Sequence, residues 1–304
     1  MSTSCDLRGL WVPIVTPFDD RAGLDVDALR RLAGRLLDDG ATGLVALGTT
    51  GEPATLTPTE RRLVARTCAD VCRSYGRRVI IGAGTNATRS TLDGVAAWNE
   101  LVPDAAALLV VVPYYTRPSE AGVVGHLRAA AAASAMPVVA YNIPYRTGRG
   151  LGAEALSALA ATSNIAGVKQ AVGGLDRDTL AVLAGRPEGF HVLCGDDAFI
   201  GPTTLLGGAG AIAAAAHVRT GDFVTLVAAA LAGDARTVAA LSGDLLAVVD
   251  AGVAEPSPAV WKGALHAMGL IATPTVRPPM TPASTTAIEA LLATLDVRSP
   301  ALVS

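Results

Sequence analysis

Gly43-Leu44-Val45-Ala46-Leu47-Gly48-Thr49-Thr50-Gly51-Glu52 is a short β-rich run that stops at two hydroxyls bracketed by glycine, and Thr57-Pro58-Thr59-Glu60 follows it a few residues later. The second stretch opens a helix: Pro suits the first turn, and the Glu three residues after the Thr completes a capping box. Strand, tight turn and capped helix make one βα unit. The pattern recurs along the chain, with strands expected near 10–16, 43–47, 78–83, 106–112, 137–142, 165–169, 190–194 and 210–213. Ala- and Leu-rich helical stretches lie between them, another of them opened by Pro118-Ser119-Glu120. Eight such strands point to an α/β fold closed into a (β/α)8 TIM barrel; an open doubly wound sheet shares the alternation and is the alternative.

Past residue 231 the β-like runs cease, and helices are expected near 233–251, 256–269 and 283–295. This reading gives a catalytic barrel over 1–231 and a C-terminal helical domain over 232–304, a three-helix extension. The stretch from Thr273 to Pro282 carries four prolines and is expected to cross in an extended form. A chain of 304 residues, 51% hydrophobic and 17% charged, is globular. Its net charge of −3 offers no basic footprint for nucleic acid and no polybasic membrane patch. The start Met1-Ser2-Thr3-Ser4-Cys5 lacks a signal-peptide pattern, so a cytoplasmic protein is expected. Cys5, Cys68, Cys72 and Cys194 read as free thiols, and the four scattered His show no ligand spacing. Neither a metal nor an organic cofactor is expected.

Chemistry in such a barrel gathers at the carboxyl ends of the strands. The chain has 22 Arg and only two Lys, and one of these, Lys169, ends the apolar run Asn164-Ile165-Ala166-Gly167-Val168-Lys169. A desolvated Lys amine can lose its proton and attack a carbonyl, which a guanidinium cannot. The residue fits a Schiff-base lysine or a strand-end Lys reaching solvent. Four of the five Tyr lie in Pro113-Tyr114-Tyr115-Thr116-Arg117-Pro118 and Tyr141-Asn142-Ile143-Pro144-Tyr145-Arg146-Thr147-Gly148, at the ends of strands four and five. Phenols near an amine can relay protons during imine formation, and the Gly48–Glu52 turn can present backbone N–H groups and hydroxyls to a carboxylate.

In this order the motifs resemble the dihydrodipicolinate synthase/N-acetylneuraminate lyase family. They are the Gly48–Glu52 turn, Gly82-Ala83-Gly84-Thr85-Asn86, Tyr114-Tyr115-x-Arg117-Pro118, Tyr141-Asn142-x-Pro144, Gly167-Val168-Lys169, Gly195-Asp196-Asp197 and Arg277-Pro278-Pro279-Met280-Thr281-Pro282. The resemblance implies a Schiff-base barrel acting on pyruvate or a related 2-oxo acid. Lys169 then forms the imine, Tyr141 shuttles protons, and Thr49 links Tyr141 to a Tyr115 that arrives from a neighbouring subunit. Thr49 and Thr50 hold the pyruvate carboxylate, and Gly48, Gly195 and Ile212 line the substrate site. A homo-oligomer, dimer or homotetramer, follows by the same analogy.

Arg146-Thr147-Gly148 matches the dihydrodipicolinate synthase branch, in which such an Arg meets the carboxylate of aspartate semialdehyde, and a guanidinium fork suits that group. The expected activity is condensation of pyruvate with this aldehyde, in lysine biosynthesis. Alternatives are an N-acetylneuraminate lyase-like, hydroxy-oxoglutarate aldolase-like or hydratase-aldolase activity, and a non-catalytic ligand-binding barrel. Gln170 stands where the family commonly has an acid, a change expected to alter the surroundings of the amine. Tyr145 replaces a small residue beside Arg146 and is expected to reshape the aldehyde pocket. Lys262 is expected on a C-terminal helix away from the barrel mouth, with a structural role. Gly207-Gly208-Ala209-Gly210 reads as a tight turn before strand eight rather than a phosphate cradle. Pro58, Arg61 and Ser90 occupy places where lysine-inhibited relatives carry His and Glu, so strong lysine feedback is not expected.

Overall fold

The computed structural model describes residues 6–296. Cys5 and residues 297–304 of the expected C-terminal domain lie outside the described residues. Eight parallel strands close a barrel in sequence order: β1 (Gly9–Val12), β2 (Gly43–Ala46), β3 (Arg78–Gly82), β4 (Ala107–Val111), β5 (Val138–Asn142), β6 (Ile165–Gln170), β7 (His191–Cys194) and β8 (Gly210–Ile212). β1 pairs with both β2 and β8, so no open sheet edge remains. Helices connect the strands.

Successive strand residues face opposite sides, and the barrel buries both. Trp11, Val45, Ile80, Leu109, Val139 and Leu193 fill the interior. Their neighbours Val12, Leu44, Val79, Leu108, Val138 and Val192 belong to a second cluster shared with helix residues such as Leu32 and Val64. This double burial explains why the strands read as unbroken apolar runs. Gly82 marks a close approach, since a Cβ there would lie 2.1 Å from the carbonyl oxygen of Leu47.

The expected first strand, 10–16, is longer than β1. Pro13 has no N–H to donate to the ladder, and only Ile14 N–H still reaches β2, at Val45 O (3.1 Å). The helix Pro58–Ser74 has its full capping box: Thr57 Oγ1 accepts from Glu60 N–H, and the Glu60 carboxylate accepts from Thr57 N–H. The C-terminal helices are Ala235–Gly252, Ala259–Ala267 and Thr285–Asp296. The middle one starts later than expected because Pro256 and Pro258 precede it. Gly207 N–H and Gly208 N–H bond back to Thr204 O and Thr203 O at the end of helix Ile200–Leu205, so these amides terminate a helix and none is left to cradle phosphate. Cys68, Cys72 and Cys194 are buried free thiols. No helix among the described residues is long and apolar enough to cross a membrane.

Candidate active site

The residues singled out from the sequence lie at the carboxyl ends of the strands or in the loops that follow. Thr49 and Thr50 form a single 3-10 turn, Thr49–Gly51, after β2. Tyr115 follows β4, Tyr141 is in the last two residues of β5, and Arg146 lies in the short helix Pro144–Thr147 just beyond it. Lys169 is next to last in β6, Gly195 directly follows β7, and Ile212 ends β8. The topology therefore brings one end of the barrel together from segments far apart in the chain.

Tyr141 and Lys169 are register partners across β5 and β6. Lys169 shares its strand phase with the interior residue Ala171, whereas Val168, one residue before it, packs into the outer cluster. The side chain is thus directed into the barrel mouth, where it is 7% exposed, and its Nζ sits 4.2 Å from the centroid of the Tyr141 ring. The room for it comes from Gly195. A Cβ at that position would fall 2.8 Å from Lys169 Cε and 3.1 Å from Cγ. Unlike Lys262, whose Nζ donates to Glu52 Oε1 at 2.8 Å, Lys169 forms no ion pair among the described residues.

Two carboxylates were missed as site residues by the sequence reading. Burial raises Asp196 despite the opposing Gly173 N–H bond and the nearby Lys169 charge. Burial pushes Asp197 up to about 6, against the Ala215 N–H bond and, again, Lys169. Both acids therefore sense the amine. Consecutive Asp residues one glycine after an apolar strand were the available signal.

Gln170 does not bear on the amine in the expected way. Being one residue out of phase with Lys169, it faces the opposite side of β6. There it accepts from Asn142 Nδ2 (3.0 Å) and donates to Thr179 Oγ1 (3.0 Å). The absent charge is replaced by a neutral amide network outside the barrel. Lys262 also departs from expectation. It is on a C-terminal helix, but its partners Glu52 and Phe18 belong to the loops that follow β2 and β1, at the mouth end of the barrel.

Tyr115 is 87% exposed with φ +70, and no hydrogen bond joins it to Thr49 or Tyr141 within the described residues. Its N–H bonds Thr147 O (3.2 Å) and Arg117 Nε bonds Gly148 O (2.9 Å), which ties this loop to the segment carrying Arg146. Leu47, Glu52, Tyr115 and Arg117 all have positive φ. Such backbone costs on the order of 1–3 kcal/mol per residue and clusters at functional sites. Arg146 is in no ion pair among the described residues and stacks loosely on Tyr145, 5.8 Å from the ring centroid. Both line a cavity of about 620 Å³ between the mouth and helix Ala235–Gly252, together with Asp196, Asp250 and Glu255. Tyr145 thus forms part of that wall, beside Arg146.

The family model for the dihydrodipicolinate synthetase family matches residues 6–297. The 4-hydroxy-tetrahydrodipicolinate synthase of Moorella thermoacetica is 41% identical over 284 residues, covering 93% of this chain and 95% of that protein. That of Salinibacter ruber is 39% identical over 280 residues, 90% of each chain. Among solved structures, dihydrodipicolinate synthase DapA-2 from Bacillus anthracis superposes with a TM-score of 0.90 at 30% identity, over 97% of this chain and 99% of that one. The chloride-inhibited enzyme from Acinetobacter baumannii, complexed with pyruvate, does so with 0.91 at 32% identity, over 95% and 98%.

Proposed function

The chain belongs to the dihydrodipicolinate synthetase family, and from that premise we propose that it condenses pyruvate with aspartate semialdehyde through an imine on Lys169. The observation that carries the assignment of the amine is its place: enclosed in the barrel mouth, unpaired, and against the ring of Tyr141. Nζ adds to the ketone carbon of pyruvate and water leaves, giving the imine. That group withdraws electrons from the neighbouring methyl, which loses a proton to become an enamine, and this carbon attacks the aldehyde. Tyr141 is suited to carry protons in these steps because the register holds its phenol beside the amine. Thr49 and Thr50 receive the carboxylate, in the 3-10 turn that follows β2 and offers both hydroxyls and backbone amides.

The cavity supports the choice of aldehyde. For a carboxylate, Arg146 supplies a guanidinium with no ion-pair partner among the described residues, and Asp196, Asp250 and Glu255 line the same space, suiting an ammonium group. Aspartate semialdehyde carries both charges. Tyr145 in the wall favours keeping other acceptors in the comparison. The test is turnover of pyruvate with a panel of aldehydes and with cleavable 2-oxo acids; the reading requires aspartate semialdehyde to give the highest kcat/KM, and a higher value for any other compound refutes it.

We infer further that the working unit is at least a dimer. Tyr115 projects from a tied, strained loop into solvent, which fits a phenol delivered to a neighbouring copy's site, and a dimer of dimers agrees with the resemblance.

A further inference from the structure

Lys262 and Glu52 stand 210 residues apart and meet in a fully enclosed place, with side-chain exposures of 0% and 3% and Nζ 2.8 Å from Oε1. The ammonium lies 4.1 Å from the centroid of Phe18, and the Arg277 guanidinium 4.3 Å from the same ring. Glu52 Oε2 accepts the backbone N–H of Arg277 at 3.0 Å. Both carboxylate oxygens are therefore held by the C-terminal segment.

Buried ion pairs are a weak source of stability, because desolvation of the two charges offsets much of their attraction and apolar replacements of similar volume often do as well. What this pair specifies is position. Glu52 has φ +53, in the left-handed region that side chains rarely adopt. Its N–H closes the Thr49–Gly51 turn on Thr49 O (3.2 Å), and its C=O accepts Thr55 N–H (3.1 Å). On the barrel side Thr16 Oγ1 donates to Gly51 O (2.7 Å). The two Thr are thus set between a bond from the loop after β1 and a carboxylate anchored by a distant helix. Lys is the apt cation here: a compact ammonium fits between a ring and a carboxylate, where a planar fork needs more room. The chain otherwise writes nearly all its positive charge as Arg.

We propose that Lys262 is a positioning residue for the pyruvate half of the reaction: through Glu52 it fixes the Thr49–Thr50 turn that receives the pyruvate carboxylate. The inference rests on the reading of that turn given above. The second Lys of the chain thereby serves the same substrate as the first, from behind the turn and without touching it.

The experiment is borohydride trapping of the Lys169 imine across a range of pyruvate concentrations, in wild type, Lys262→Met and the double variant Lys262→Met/Glu52→Gln. Half-saturating pyruvate is expected to rise about tenfold in both variants, the loss of one charge-assisted hydrogen bond's worth of orientation. The fraction trapped at saturation and the KM for the aldehyde stay within about twofold, since the amine and the Arg146 side are untouched. The double variant leaves no buried charge unpaired, so it carries the measurement where the single variant folds poorly. A purely structural role predicts fewer active molecules with an unchanged half-saturation, or full recovery in the double variant; either result overturns the proposal. If wild type itself is not trapped, the assignment of Lys169 fails and this inference with it, an outcome distinct from trapping with unaltered pyruvate dependence.

Discussion

Replacing Gly195 by Ala tests whether the amine is held by packing. Gly195 does not adopt a positive φ, so the backbone accepts any side chain there and the effect is steric alone. The new methyl would stand 2.8 Å from both Lys169 Cε and Ala171 Cβ. Carbon atoms prefer about 3.5–4.0 Å, so each contact is short by roughly 1 Å. Ala171 directly follows β6 and its Cβ is fixed to the backbone, so it cannot swing away; the flexible Lys169 side chain yields instead. Overpacking of this kind costs about 1–3 kcal/mol of stability. A misplacement of about 1 Å lowers a rate by roughly 100-fold, some 2.7 kcal/mol of activation free energy. The assay pairs thermal unfolding with the rate of borohydride trapping at saturating pyruvate. A folded Gly195→Ala protein that is trapped at the wild-type rate refutes the claim that Gly195 makes room for the amine.

Arg146→Ala removes the guanidinium from the cavity, and the KM for aspartate semialdehyde is expected to rise about 10- to 100-fold, the range for a lost charged hydrogen bond. Pyruvate trapping is unchanged in that variant, and a parallel loss there contradicts the division of labour. His217 is wholly buried, accepts Val15 N–H at Nε2 and pairs Nδ1 with Ala214 O, and burial lowers its pKa from 6.5 to about 4. The unfolded chain therefore binds a proton that the folded one refuses between those values, so its stabilisation is complete above about pH 6.5 and is lost as pH falls toward 4, about 3 kcal/mol in all. Urea unfolding of His217→Gln across that window should lack this component, and the difference from wild type cancels the opposite slope from Asp197; identical slopes contradict it. Lysine should not inhibit at micromolar concentration, because Pro58, Arg61 and Ser90 stand where the resemblance puts the His and Glu of lysine-inhibited relatives. Turnover measured against added lysine decides this.

The barrel was legible because strands buried on two faces leave unbroken apolar runs, and because Thr57-Pro58-Thr59-Glu60 declares a helix start by local chemistry. The barrel mouth was legible because the carboxyl ends of the strands gather there, so Lys169 and Tyr141 could be placed by position, while Arg146, in the short helix after β5, was singled out by the resemblance of its Arg-Thr-Gly stretch. Strand phase was not. When both faces are apolar, composition does not say which residue points inward, and Gln170 was therefore credited with an influence on the amine that its outward bonds to Asn142 and Thr179 exclude. The site of Lys262 was hidden for another reason: where a C-terminal helix docks depends on contacts such as Glu52 and Phe18, more than 200 residues away, with no local sequence signature. β1 ended early at Pro13, a missing donor that a propensity-based reading passes over.

Peptide mapping after borohydride reduction in the presence of pyruvate addresses the central claim most directly. The account predicts a reduced pyruvate adduct on the peptide containing Lys169 and none on the peptide containing Lys262, whose amine is enclosed and bound to Glu52. No adduct, or one on Lys262, contradicts it.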